Sequence, residues 1–282
     1  MRRNPALSIV ALALLALGLW RPAAWASESV EDAYGGRAMI VHVPDRLPPS
    51  GTRALVVVLH GGLGNADRIA SRQAESALNM DAVADANGFI VAYLNGTRVA
   101  RFLGNRFLGW NAGGGCCGVA AENNVDDAAY IEGAVAYLAG KYGIDRARVY
   151  GIGHSNGAMM TQRLICETRL YAAAVAISGP LNLRVSLCPA ARGARILALH
   201  GADDENVPIK GGRGRKGVSG VAFTSEERSR QVFTNSGAAY TLQIVPGAAH
   251  MLDRIEAVIQ ETESMTIAEK AARFFGIVRP GQ

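Results

Sequence analysis

Gly153-His154-Ser155-Asn156-Gly157 sets a serine between two glycines. A strand-like run at 147–152 precedes it, and a run of helix formers at 158–165 follows. Strand, sharp turn and helix in that order make a nucleophile elbow, with the serine in a strained conformation at the turn. Flanking glycines are needed because a side chain there would meet the neighbouring strand or helix. The new helix also brings its N-terminal N–H groups and positive dipole end beside the serine. With 33 Gly among 282 residues, composition alone produces this pattern in roughly one such chain in five, so the strand–turn–helix context carries the reading. The competing reading is a glycine-rich turn in which Ser155 only caps the helix.

A serine hydroxyl is a poor nucleophile at neutral pH and needs a base, itself oriented by a carboxylate. Behind such an elbow the chain order is serine, acid, histidine. Only His200 and His250 follow Ser155. His250 lies beyond the last expected strand, where the base belongs. His200 directly ends a strand and reads as a structural or pocket-wall residue. The acid belongs in Asp203-Asp204-Glu205, and spacing leaves Asp203 and Asp204 open, with a mere loop cap as the competing role. Two donors must hold the oxyanion. One is the backbone N–H of Asn156. The other comes from His60-Gly61-Gly62-Leu63-Gly64, with Gly62 favoured over Leu63. His60 is too early in the chain to be the base and is expected to hold that loop by a hydrogen bond.

The elements that position these residues alternate. Residues 37–43 read as an early antiparallel strand and 44–51 as a turn. Residues 54–59 are a continuous apolar run, the mark of a strand buried on both faces, and 89–94 are a second. A helix is expected over 71–86, a long glycine-rich loop over 95–119, and a helix over 124–141 capped by Asn124. Strands follow at 172–177, 195–200 and 239–245, with helices at 224–236 and 264–275. This alternation predicts one mainly parallel central sheet with helices on both faces, and with the elbow at Ser155 it reads as the α/β-hydrolase fold. Ser155, His60 and His200 all fall just past strand ends, where such sheets bind ligands.

The N-terminus reads as a targeting segment. Arg2 and Arg3 precede an apolar stretch, and Ala24-Trp25-Ala26 is an A-x-A cleavage site. Residues 1–26 are therefore expected to be a signal peptide, and 27–282 a single catalytic domain, periplasmic or extracellular. The apolar run falls short of the ~18 residues a span needs, so no stable membrane insertion is expected after cleavage. Removing Arg2, Arg3 and Arg21 takes the formal charge from +5 to +2. Much of the remaining excess sits in Lys210-Gly211-Gly212-Arg213-Gly214-Arg215-Lys216, which reads as a solvated loop; no stretch interleaves basic and aromatic residues, so nucleic acid is a poor partner. A monomer is expected. The cysteines Cys116, Cys117, Cys166 and Cys188 suggest two disulfides in an exported chain. Adjacent cysteines rarely bond each other, so each of Cys116 and Cys117 is expected to reach Cys166 or Cys188. Their spacing does not suit zinc.

The chain resembles the secreted polyhydroxybutyrate depolymerase-like esterases, a group that includes feruloyl and acetylxylan esterases. The resemblance runs from about residue 35 to 275. It rests on Leu59–Asp67, Gly109-Trp110-Asn111-Ala112-Gly113-Gly114-Gly115-Cys116-Cys117-Gly118, Val125-Asp126-Asp127, Gly153–Met160 and His200–Gly212. It implies a triad of Ser155, Asp204 and His250, with no metal or organic cofactor, and it makes Trp110 and Asn111 candidates for the substrate wall. After the base the family usually has an aromatic and a proline, whereas this chain reads His250-Met251-Leu252-Asp253, a change at the pocket rim. The implied activity is ester hydrolysis, on hydroxybutyrate oligomers, feruloyl or acetyl esters, or short acyl esters. A serine peptidase on the same fold and an inactive binding protein are the rivals.

Overall fold

A computed structural model describes residues 27–70, 76–99 and 106–278. The expected signal peptide lies outside the described residues. The chain opens with a hairpin, β1 (Glu28–Tyr34) and β2 (Arg37–Val43), followed by β3 (Arg53–Leu59), α1 (Ala66–Ala70), α2 (Asp81–Asn87) and β4 (Ile90–Leu94). A small ribbon of β5 (Thr97–Arg98) and β6 (Leu108–Gly109) precedes α3 (Gly118–Glu122), α4 (Asp127–Tyr142), β7 (Ile144–His154) and α5 (Asn156–Glu167). Then come β8 (Ala173–Ile177), β9 (Arg195–Gly201), a second ribbon of β10 (Gly212–Arg213) and β11 (Ala222–Phe223), α6 (Glu226–Asn235), β12 (Ala239–Val245), α7 (Leu252–Glu263) and α8 (Ile267–Phe275).

The main sheet has eight strands in the order β1-β2-β4-β3-β7-β8-β9-β12. Every pair from β4 to β12 is parallel, and only the hairpin side pairs antiparallel. This is the expected α/β-hydrolase architecture. The apolar run of β3 shows why both faces need helices. Leu55, Val57 and Leu59 pack into a core with α4, α5 and α6, while Ala54, Val56 and Val58 pack into a second core with α1, α7 and α8. All six are 2% exposed or less, so alternate side chains of one strand are removed from water on opposite faces.

Register aligns the strand ends. Leu59 pairs with Gly153, His154 with Ile177, Ile177 with Leu199, and His200 with Ile244. His60, Ser155, His200 and the loop after β12 therefore emerge on one edge, where a parallel sheet presents its ligand site.

Several expectations need correction. Strand β1 was not foreseen, because its Glu28, Glu31 and Asp32 read as polar; Glu28 and Glu31 are what an edge strand carries toward water, while Asp32 pairs with Lys141 of α4. The signal was the Gly35-Gly36 turn, both residues at positive φ, which suits a two-residue hairpin. The helix expected over 71–86 is not continuous in its described part: a 3-10 turn at Ser76–Leu78 precedes α2. Asn79 side-chain bonds to the Ile69 and Ala70 carbonyls hold that break. Helix α4 is capped by Asp126, which accepts from the Ala129 N–H, and not by Asn124. The loop 95–119 contains the β5/β6 ribbon and the start of α3, and α7 fills what read as a connection before the last helix.

The disulfides are Cys116–Cys117 and Cys166–Cys188, contrary to the expected pairing. Helix α5 supplies the reason. Asn156, its first residue, contacts the Cys116 sulfur at 3.6 Å, whereas Cys166 lies ten residues further along, about 15 Å away at helical rise. There it meets Cys188, with Cα atoms 4.5 Å apart. Sequence spacing could not show that one helix separates the two pairs.

Candidate active site

Strand β7 delivers Ser155 at φ 54° and ψ −120°, a backbone conformation that is costly for a residue with a Cβ and is kept at functional sites. A Cβ at Gly153 would collide with the Gly157 carbonyl, and one at Gly157 with the Leu59 carbonyl. Both glycines are thus required by close approach of the chain. The Ser155 side chain makes no capping bond to α5, which disposes of the capping reading. Its Oγ lies 2.9 Å from His250 Nε2.

His250 Nδ1 is 2.7 Å from Asp204 Oδ2. A carboxylate only accepts, so Nδ1 carries the proton and Nε2 is left to accept from the serine hydroxyl. Asp204 divides its oxygens between the two roles that competed in the sequence. Oδ1 accepts from the Asn206 and Val207 N–H groups at 2.8 Å each, and Oδ2 faces the histidines. Burial would raise the Asp204 pKa, but hydrogen bonds from His200 and His250 outweigh it and hold the carboxyl well below its usual range. Asp203 is exposed and does not join them. Ser155, His250 and Asp204 thus form one continuous hydrogen-bonded line.

On the other side of Ser155, the Leu63 N–H donates to the Leu108 carbonyl at 2.8 Å, so it is spent. Gly62 remains the better donor of that loop, and a Cβ there would lie 3.7 Å from the Asn156 Cβ. The two expected oxyanion donors are therefore neighbours. The Asn156 N–H, first in α5, has no intrahelical acceptor. The Asn156 side chain is a latch, its Oδ1 accepting from the Trp110 N–H at 2.7 Å and its Nδ2 donating to the Trp110 carbonyl at 3.0 Å. His60, fully buried, bonds the Gly61 carbonyl through Nδ1 and accepts from the Gly96 N–H at Nε2. Burial lowers its pKa to about 4, so it is a neutral brace for the loop.

Trp110, expected on the substrate wall, turns inward, and Asn111 is half-buried with its polar groups engaged. Trp110 has no exposed surface and donates from Nε1 to the His60 carbonyl at 3.0 Å. Asn111 is held on three sides, by Asp127, the Val125 carbonyl and Arg163. Both belong to the scaffold behind the oxyanion loop. Asp127, given no role beyond its place in the matching Val125-Asp126-Asp127 stretch, anchors that scaffold: fully buried, it accepts from Arg37 of β2 at 2.5 Å and from the Asn111 N–H at 2.7 Å. Leu63 and Met251, next in the chain to Gly62 and His250, are apolar and 37% and 55% exposed.

Two more site residues were missed. His154, inside the elbow itself, donates from Nε2 to the His250 carbonyl at 2.9 Å, and the two rings lie 5.0 Å apart. Burial and the neighbouring His250 lower its pKa to about 3, so it is a neutral strut beneath the base. Glu226, at the start of α6, sits 2.8 Å from His200 Nδ1 and accepts from the Tyr240 hydroxyl at 2.6 Å. An acid opening an expected helix normally reads as a dipole partner, so the sequence did not separate it from its neighbour Glu227.

Comparison with known proteins identifies a family and relatives of the same fold. Residues 120–260, half of the chain, match the phospholipase/carboxylesterase family. A Nocardia uniformis subsp. tsuyamanensis protein named as an esterase, NocK, is 32% identical over 178 residues, which are 62% of this chain and 47% of that protein. The chain thus spans about half the length of this relative. Among solved structures, a Mycobacterium tuberculosis puromycin-hydrolyzing peptidase superposes with a TM-score of 0.63 at 16% identity, over 93% of this chain and 41% of that one. Acetyl xylan esterase from Aspergillus awamori gives 0.58 at 17% identity, over 89% and 99%. At these identities the structures speak for the fold alone, whereas the family match speaks for descent. An elbow serine, a histidine and a buried aspartate meet on the carboxyl edge of this sheet, and the chain belongs to the phospholipase/carboxylesterase family of α/β-hydrolases.

Proposed function

We propose that the protein is an exported serine esterase that works through Ser155, His250 and Asp204. The observation that carries this reading is the line Ser155 Oγ, His250 Nε2, His250 Nδ1, Asp204 Oδ2, with steps of 2.9 and 2.7 Å, beside Gly62 and Asn156. Ser155 Oγ attacks the ester carbonyl while its proton passes to His250 Nε2. The N–H groups of Gly62 and Asn156 hold the tetrahedral oxyanion. Collapse breaks the carbonyl–alkoxy bond, and His250 returns the proton to the leaving alcohol. Water then attacks the acyl-serine, again giving its proton to His250, and the carboxylic acid departs.

The resemblance in the Trp110–Gly118 segment supports polyhydroxybutyrate depolymerase-like chemistry. Hydroxybutyrate oligomers, methyl ferulate, acetylated xylan and short p-nitrophenyl esters are the substrates to test. The two disulfides support an oxidising compartment, and with it removal of residues 1–26 and a periplasmic or extracellular location. A fluorophosphonate should label Ser155 and abolish turnover of every substrate in that panel. EDTA should leave turnover intact. Unimpaired turnover after complete labelling, or loss in EDTA restored by zinc, would overturn the serine mechanism.

A further inference from the structure

The triad does not end at Asp204. His200 is fully buried at the end of β9, with Nδ1 2.8 Å from Glu226 Oε1 and Nε2 2.8 Å from the Val207 carbonyl. The same Nε2 lies 3.3 Å from Asp204 Oδ2, the oxygen that also accepts from His250. A carbonyl cannot donate, so Nε2 carries a proton. Glu226 accepts from Tyr240 through its other oxygen at 2.6 Å, so its Oε1 is directed at Nδ1 and carboxyl groups flank the ring at both nitrogens. An imidazolium ring would donate from both nitrogens to this pair of acids.

We propose that His200 is a positioning residue, a buried imidazolium clamped between Glu226 and Asp204 that orients Asp204, offsets its charge, and so sets the pH at which His250 becomes free to act as the base. The clamp rests on the serine-esterase reading above. Burial opposes the charge on His200, but hydrogen bonds to Asp204 and Glu226 and the Glu226 charge outweigh it and push its pKa up to about 10. The groups facing it come from every packed element: Asp204 from its own loop, Glu226 from α6, neutral His154 from β7, and Tyr240 from β12. Burial and Glu226 hold the Tyr240 phenol well above its usual range, so it stays neutral. Without His200, Asp204 and Glu226 would be two buried carboxylates with no cation between them. The full Asp204 charge would then fall on His250, favouring its protonated, inactive form at a pH where the native enzyme works.

The test has two parts. In the wild-type protein at pH 8, ¹⁵N NMR of the His200 ring should show both nitrogens protonated. A neutral ring overturns the clamp whatever the enzyme does. In His200→Gln, the acid-side midpoint of kcat/KM for p-nitrophenyl acetate should move up by about one pH unit, as expected for removing a charge in contact with the acid. Glu226→Gln removes a negative charge while His200 is still protonated at acid pH, and should move the midpoint down. A purely structural role would lower the whole profile of either variant and leave its midpoint in place, and that result overturns the proposal, as do shifts of the same sign. If His200→Gln does not fold, Glu226→Gln and the wild-type spectrum still decide. Ser155→Ala keeping its activity would sink the esterase reading instead, a result the His200 spectrum does not depend on.

Discussion

The two flanks of Ser155 solve the same burial problem in opposite ways. On the oxyanion flank, His60 sits among backbone groups, Trp110 donates to its carbonyl, and Asn156 latches onto the Trp110 backbone. Every partner is neutral, so burial wins and His60 is uncharged. On the acid flank, His200 sits between Asp204 and Glu226 and is charged despite being as buried as His60. Both rings end parallel strands of one sheet. Their partners alone decide the protonation state: carbonyls and amides cannot repay the desolvation of a cation, and carboxylates can. A flank that must present N–H donors to a developing negative charge needs rigidity without a competing anion. A flank that must stabilise a transient imidazolium needs a fixed negative charge, and that charge needs a keeper.

The largest effects should fall on the acid flank. Ser155→Ala and His250→Ala should each lower kcat at least ~10³-fold while circular dichroism stays native. Asp204→Asn should be comparably severe and the exposed Asp203→Asn mild; the reverse ranking would move the acid to Asp203.

Stability against pH should separate the two kinds of histidine. His60 and His154 are depressed to about 4 and about 3 from 6.5, so the stability that depends on their neutrality is complete above 6.5 and is lost as pH falls through the folded values. His200 is raised to about 10, so its contribution is complete below 6.5 and is lost as pH rises toward 10. The melting temperature at constant ionic strength should therefore peak near pH 6.5, and His200→Gln should flatten the alkaline limb. A wild-type curve that stays level from pH 7 to 10 would contradict the charged His200.

The disulfides divide along the same line. Cys166–Cys188 spans 22 residues and ties the far end of α5 to the segment before β9. Replacing both cysteines with alanine should cost about 3 kcal/mol. Cys116–Cys117, on the oxyanion flank, closes no loop of the chain, and its double replacement should cost less in urea titration.

Smaller effects test the oxyanion flank. Asn156→Ala strands two backbone groups of Trp110 and should cost about 2 kcal/mol of stability. It should also lower kcat about tenfold with KM little changed, because the backbone donor remains but shifts. Trp110→Phe loses one indole bond to His60 and should cost about 1 kcal/mol with KM unchanged. A clear rise in KM would return Trp110 to the substrate wall.

The sequence by itself determined the strands, because burial on both faces leaves an unbroken apolar run such as 54–59 that has no other stable place. It placed Ser155 at a sharp turn through glycines that close approach makes obligatory, and chain order singled out His250, whose ring lies 2.9 Å from the serine. It narrowed the acid to two neighbours. Charged β1 and the broken segment before α2 escaped because their patterns answer to an edge and to a side chain, not to a period. What only the tertiary structure decided is which groups face each other across elements. Asp127 of α4 meets Arg37 of β2, His154 supports a carbonyl 96 residues later, and Glu226 of α6 clamps His200. Helix α5 keeps Cys116 apart from Cys166, and Trp110, which read as a pocket wall, turns inward. A buried polar group is defined by its partner, and partners distant in the chain leave no period, spacing or composition for a sequence to display.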